Sequence, residues 1–266
     1  MKKQLFSRSR LGIPYAVFLI LFVALPMLII LYYAFTNGEG RFTLENVVTL
    51  FRDGRVIGTL GYSLAIALIT TALCLLIAYP VAYILAKGPY QNKNVLLMLF
   101  VMPMWINFTL RLTAFKEVLT VVEGNLAFHP FLNTILCMTY DFLPFMILPL
   151  YNTIVKIDDS FTEAALDLGA KKREVFLSII LPLSVPGIIS GVTMVLLPAM
   201  TNYVVLDMIY NSTYIMGSLI GSYFNAYDWG SGSVISLLLL LIIFLISFAT
   251  GEFSENPEEE KGGAVL

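Results

Sequence analysis

Residues 156–182 read KIDDSFTEAALDLGAKKREVFLSIILP, a polar-to-amphipathic stretch set between two long apolar runs. Its local chemistry specifies two short helices. Ser160 followed three residues later by Glu163 is a capping-box pattern, which predicts a helix starting there and running to Leu168. Gly169 suits the left-handed position that ends such a helix. A second helix is expected from about Ala170 to Pro182, where proline breaks the ladder and the next apolar run begins. Helical spacing puts Phe161, Ala164, Ala165 and Leu168 on one face of the first helix, and Glu163 and Asp167 on another. Two alanines on an apolar face allow close approach, so this helix is either a plug for a groove on a partner or an interfacial helix lying on lipid.

The flanks of this loop set the class. The chain has 266 residues, 58% hydrophobic and 13% charged, with a mean hydropathy of +0.84. Soluble domains are roughly 45–50% apolar and about 25% charged, so an ordinary soluble domain is excluded. A bilayer core of about 30 Å needs about 20 apolar helical residues. Six runs qualify, at about 11–35, 60–86, 94–115, 131–155, 183–206 and 232–250. The expectation is an all-α, polytopic membrane protein with six transmembrane helices in contact with membrane lipid. The first run follows Lys2, Lys3, Arg8 and Arg10, but it is far longer than a signal-peptide core of roughly 7–15 residues and is read as a retained span. With the amino terminus inside, the inner segments carry 11 Lys and Arg and the outer segments 5. Both termini are therefore expected to be cytoplasmic. The first ten residues form the cytoplasmic N-terminus, and 251–266 form an acidic tail read as disordered.

Composition and motifs also exclude functions. A net charge of -2 and a pI of about 5.5 give no basic excess for nucleic acid. Cys74, Cys137 and the single His129 supply neither a disulfide framework nor a metal site. No lysine is followed by Ser or Thr, so there is no phosphate-binding loop, and no H-E-x-x-H or G-x-S-x-G occurs. The chain is neither an ATPase nor a hydrolase by these signs, and a lipid-modifying membrane enzyme would need a cluster of acid, base or metal residues that it lacks.

Polar groups inside the spans mark candidate path residues. Asp141 is the one acid within an expected span, either on a path for solute or a polar contact between helices. Arg111, near the end of the third span, either snorkels, is held by an acid such as Asp141, or marks a gate. Trp105 lies mid-span, whereas Tyr140, Tyr203, Tyr210 and Tyr223 suit interface belts or aromatic walls. Asp207 and Asp228 are expected in outer segments, and 207–231, rich in Gly, Ser and Tyr, is a candidate to dip back toward the membrane. Pro14, Pro26, Pro80, Pro103, Pro144, Pro149, Pro186 and Pro198 read as kinks. Gly187-x-x-x-Gly191 and Gly217-x-x-x-Gly221 read as close helix contacts.

Glu163-Ala164-Ala165, Gly169, Ile179 and Leu181-Pro182 resemble the EAA signature of permease subunits in ATP-binding-cassette importers, EAA-x3-G-x9-I-x-LP, without gap or substitution. Six spans with this loop between the fourth and fifth resemble the type I permeases, with their MetI-like fold, over roughly residues 11–250. The resemblance implies a second permease subunit forming a heterodimer, two copies of an ATP-binding subunit, and an external substrate-binding protein. It also implies that ATP and Mg reside on the ATPase and that this chain holds no cofactor. Glu163, Ala164, Ala165, Asp167, Gly169, Ile179, Leu181 and Pro182 would then form the coupling element, and motion would pass into the spans by alternating access. Within the family the chain is most similar to polyamine (spermidine/putrescine) importer permeases. That likeness is carried by Pro103-Met104-Trp105-Ile106-Asn107 with Arg111, Leu143-Pro144-Phe145-Met146 through Leu150-Tyr151, and Leu197-Pro198-Ala199-Met200 with Asp207. The substrate path implied comprises Trp105, Asn107, Arg111, Asp141, Tyr203 and Asp207. Glu258-Glu259-Glu260 depart from the basic ending usual in such permeases.

Overall fold

The computed structural model describes residues 8–209 and 214–249. The acidic tail expected over 251–266, most of the N-terminal segment and Tyr210 lie outside the described residues. In chain order the α-helices are α1 (Arg8–Leu19), α2 (Leu25–Ala34), α3 (Glu45–Arg52), α4 (Gly54–Lys87), α5 (Lys93–Val101), α6 (Phe108–Glu123) and α7 (Pro130–Ile154). There follow α8 (Asp159–Asp167), α9 (Lys172–Val175), α10 (Leu181–Leu183), α11 (Val185–Thr201), α12 (Tyr203–Ile209), α13 (Met216–Asn225) and α14 (Trp229–Ala249). No strand occurs among the described residues beyond an isolated bridge between Thr36 and Phe42. Four helical stretches are long and apolar enough to cross a membrane, Ile13–Ala34, Gly54–Lys87, Pro130–Ile154 and Trp229–Phe248, and two bent pairs raise the number to six.

The bends correct the simple picture of straight spans. The third run, expected as one rod over 94–115, is α5, a 3-10 turn at Met102–Trp105 and α6, bent by 99°. Pro103 removes a ladder donor, and Asn107 then starts α6 afresh by accepting the Leu110 N–H at 3.2 Å. The fifth run, expected over 183–206, bends by 61° at Ser184, between Pro182 and Pro186, and breaks again at Asn202. Asp207, expected just beyond the span, therefore lies within α12, and α13 and the start of α14 fall within the segment read as 207–231.

The chain divides into two compact units. The larger, 59–217 with 243–266, is organised around α7, whose buried residues run from Asn133 to Ile154. Helix α11 lies along it. A Cβ at Gly187 would stand 2.6 Å from Thr153 Oγ1, and one at Gly191 2.6 Å from Met146 Sδ, so these two glycines permit the close approach. The second glycine pair differs: a Cβ at Gly217 would collide with the Thr201 backbone, while Gly221 faces open space. Helix α4 buries Ile66, Thr70, Cys74, Ala78 and Ala82, one turn apart, and Cys74 Sγ approaches the Thr139 carbonyl at 3.6 Å. Both cysteines are free thiols.

The smaller unit, 1–58 with 218–242, contains α3. There Asn46 Nδ2 donates to the Thr36 and Ala34 carbonyls at 3.0 and 3.3 Å, fixing the turn that follows α2. Tyr33 stacks on Trp229 with centroids 5.9 Å apart, and Asp228 Oδ1 caps α14 by accepting the Ser231 N–H at 3.0 Å.

Candidate functional site

Two sites are built within the larger unit. The first is the hook of α8 and α9. Its opening helix begins at Asp159 rather than Ser160, because Asp158 is the cap: its Oδ1 accepts the Ser160 N–H at 2.9 Å. Aspartate and serine are comparable caps, and the residue met first takes the role, leaving Ser160 in the first turn. That hydrogen bond, with a smaller contribution from the positive charge of Lys87, holds the Asp158 carboxyl below the usual carboxylate range. The helix closes in a Schellman motif: Ala170 N–H donates to Ala165 O at 3.0 Å and Gly169 N–H to Leu166 O at 2.9 Å. Gly169 sits at φ +85°, open to glycine and strained for other residues. The second arm starts at Lys172, later than Ala170, with the Lys171 N–H donating to Glu174 Oε2 at 2.8 Å, and passes through a π turn at Phe176–Ile180.

The first arm of the hook keeps its large apolar groups uncovered, whereas Val175 in the second arm is buried. Phe161 is 54% exposed and Leu168 89%. Glu163, Ala164, Asp167, Gly169 and Pro182 are exposed, and Ala165, Ile179 and Leu181 are half-buried. A face of this kind gains about 1.5–3 kcal/mol for each large side chain that a partner covers.

The second site is a cleft of about 530 Å³ beside α6, α7 and the end of α11. Arg111 and Asp141 meet there as a buried ion pair, 7% and 3% exposed. Arg111 Nη1 also donates to the Pro103 carbonyl at 2.7 Å, while its Nε has no hydrogen-bond partner. Arg111 lies one turn into α6, where the helix dipole disfavours a cation, and the Asp141 carboxylate offsets that penalty. Tyr203 shares the lining with these two. Other expected path residues stand apart: Trp105 is exposed on the 3-10 turn, Asn107 serves as the cap of α6, and Asp207 is exposed on α12, none of them lining the cleft. Residues not expected on the path complete it, notably Phe142, Thr201 and Asn202, with Phe145 from the segment that carried the family likeness. Helical spacing from Asp141 reaches Phe145 one turn on, a signal that was present in the sequence.

Comparison with known proteins fits this architecture. Residues 5–251 match the family model described as "Binding-protein-dependent transport system inner membrane component". The spermidine/putrescine transport system permease protein PotB of Escherichia coli (strain K12) is 36% identical over 251 residues, covering 86% of this chain and 90% of that protein. PotB of Haemophilus influenzae is also 36% identical, over 254 residues, covering 86% and 88%. Among solved structures, a bacterial alginate ABC transporter chain superposes with a TM-score of 0.72 at 13% identity, covering 93% of each chain. The MetNI methionine ABC transporter gives 0.57 at 18% identity, over 80% of this chain and 97% of that one. These structural likenesses bear on fold alone. The chain belongs to the family of inner membrane components of binding-protein-dependent transport systems.

Proposed function

We propose that this chain is a permease subunit of an ATP-driven polyamine importer, one half of a translocation path for spermidine or putrescine. It works beside a second permease subunit. Two copies of a cytoplasmic ATPase carry ATP and Mg, and an external polyamine-binding protein delivers cargo. Both termini face the cytoplasm, and this chain performs no covalent chemistry and holds no cofactor. The observation that carries the reading is the hook: two short arms turned at Gly169, with Phe161 and Leu168 left uncovered. The cargo class is supported by the PotB relatives. In the cleft, the rings of Phe142, Phe145 and Tyr203 offer aromatic faces to an ammonium group, beside an Asp141 carboxylate whose charge Arg111 already balances.

A second reading, a permease for an anionic solute, is favoured by one observation, the unpartnered Nε of Arg111 at the cleft. Uptake of labelled spermidine by proteoliposomes containing the complex isolated through this chain separates the two. Spermidine uptake that unlabelled putrescine competes with and that requires ATP supports the polyamine reading. ATP-dependent uptake of an anion with no spermidine uptake overturns it.

A further inference from the structure

The C-terminal half of α4 touches the hook and the chain that continues from it at three levels. At the bend between α10 and α11, the Tyr79 hydroxyl lies 2.8 Å from Ser184 Oγ. The Tyr79 ring, and Tyr83 one turn on, meet Phe176 of the second arm nearly at right angles, with centroids 5.7 and 5.6 Å away. At the last residue of α4, Lys87 Nζ donates both to the Ile157 carbonyl, just past the end of α7, and to Asp159 Oδ1, the first residue of α8. One ammonium group therefore joins three segments of chain.

The energetics separate this contact from an ordinary surface pair. Exposed ion pairs contribute little to stability, and the Asp159 side chain is 74% exposed. The Lys87 side chain is only 14% exposed, so its ammonium has given up much of its water and needs the acceptors it finds. Each charge also sits at the helix end that favours it, the cation at the C-terminus of α4 and the anion in the first turn of α8. Such a junction adds little to global stability, but it resists a change of angle between α4 and the first arm.

We propose that Lys87 is a positioning residue for coupling. Through Ile157 O and Asp159 it locks the first arm of the hook to the end of α4, so force applied to the hook enters that helix instead of being absorbed in the short connection at 155–158. This rests on the reading of the hook as the ATPase-coupling element. The test uses the complex isolated through this chain, reconstituted with labelled spermidine, its binding protein and ATP. Lys87→Met is expected to retain the ATPase subunits, basal hydrolysis and the KM for spermidine, while kcat for uptake falls about fivefold. Lys87→Arg, which preserves both donations, is expected to restore uptake to within about twofold of wild type. Asp159→Asn, which leaves the Asp158 cap in place, is expected to fall between them and decides the matter if Lys87→Met does not fold. Wild-type kcat in Lys87→Met, or in Asp159→Asn where Lys87→Met is not recovered, overturns the proposal alone. So does a raised KM at unchanged kcat. A wild-type complex that carries no ATPase overturns the underlying reading and this proposal with it.

Discussion

The contact between α7 and α11 and the hook of α8 and α9 use glycine in opposite ways. Along α11, Gly187 and Gly191 are small so that two backbones can close on one another, and the space above each is filled by Thr153 and Met146. In the hook, Gly169 has open space around it and is there for its backbone angle. The first region completes its packing within the chain. The second fixes a shape and leaves its apolar face for something else. Stability and function are thereby separated: damage to the helix pair harms folding, and damage to the hook harms communication.

The largest expected effect sits next to the helix pair. Asp141→Ala leaves Arg111 buried and uncompensated, and should lower stability in detergent by about 3–5 kcal/mol. Arg111→Met combined with Asp141→Leu should recover most of that loss in a thermal melt. A double variant as unstable as the single would show that packing, not charge, is at stake there. Gly187→Leu, forced against Thr153 and the Pro149 carbonyl, should lose about 1–3 kcal/mol by the same measurement. Gly169→Asp reverses the pattern. It strains one residue by about 1–2 kcal/mol, should leave the thermal midpoint of the spans and subunit assembly near wild type, and should abolish uptake. Normal uptake, or a melt shifted as far as that of Asp141→Ala, breaks the comparison.

The smallest effect concerns the cap of the hook. Because the Asp158 carboxyl is held below its ordinary range by the Ser160 N–H, its stabilising contribution is complete above that range. It is lost as pH falls through the lower, folded-state value. Amide exchange across the first turn of α8, corrected for intrinsic rates, should therefore rise at acid pH. The same correction applied to α7 should show no matching step, since the cap lies outside it.

Much of the architecture was legible because hydropathy is a strong signal: each of the six apolar runs is helical over most of its described length, and Gly169 announced the turn of the hook. What escaped was direction. Within 94–115 nearly every residue is apolar, so periodicity carries no record of a bend, and only Pro103 and Asn107 mark one. The cap was misplaced by two residues because Asp158 and Ser160 are both good candidates, and only the backbone decides between them. Arg111 held by Asp141 was one of several readings open in the sequence, and the structure selects it because of how α6 leaves the bend at Asn107. Lys87 was readable only as one more basic residue in an inner loop; its bonds to Ile157 and Asp159 arise from tertiary placement.

The bend at Pro103 to Asn107 has a geometric corollary. At 1.5 Å per residue, α5 measures about 13 Å and α6 about 24 Å, so neither arm alone matches a hydrocarbon thickness of about 30 Å. Any ruler that converts residue number into depth, whether cysteine labelling, spin-probe collision or fluorescence quenching, will advance steadily up to the corner and then turn sideways. Probe positions on opposite sides of Trp105 belong to two different scales.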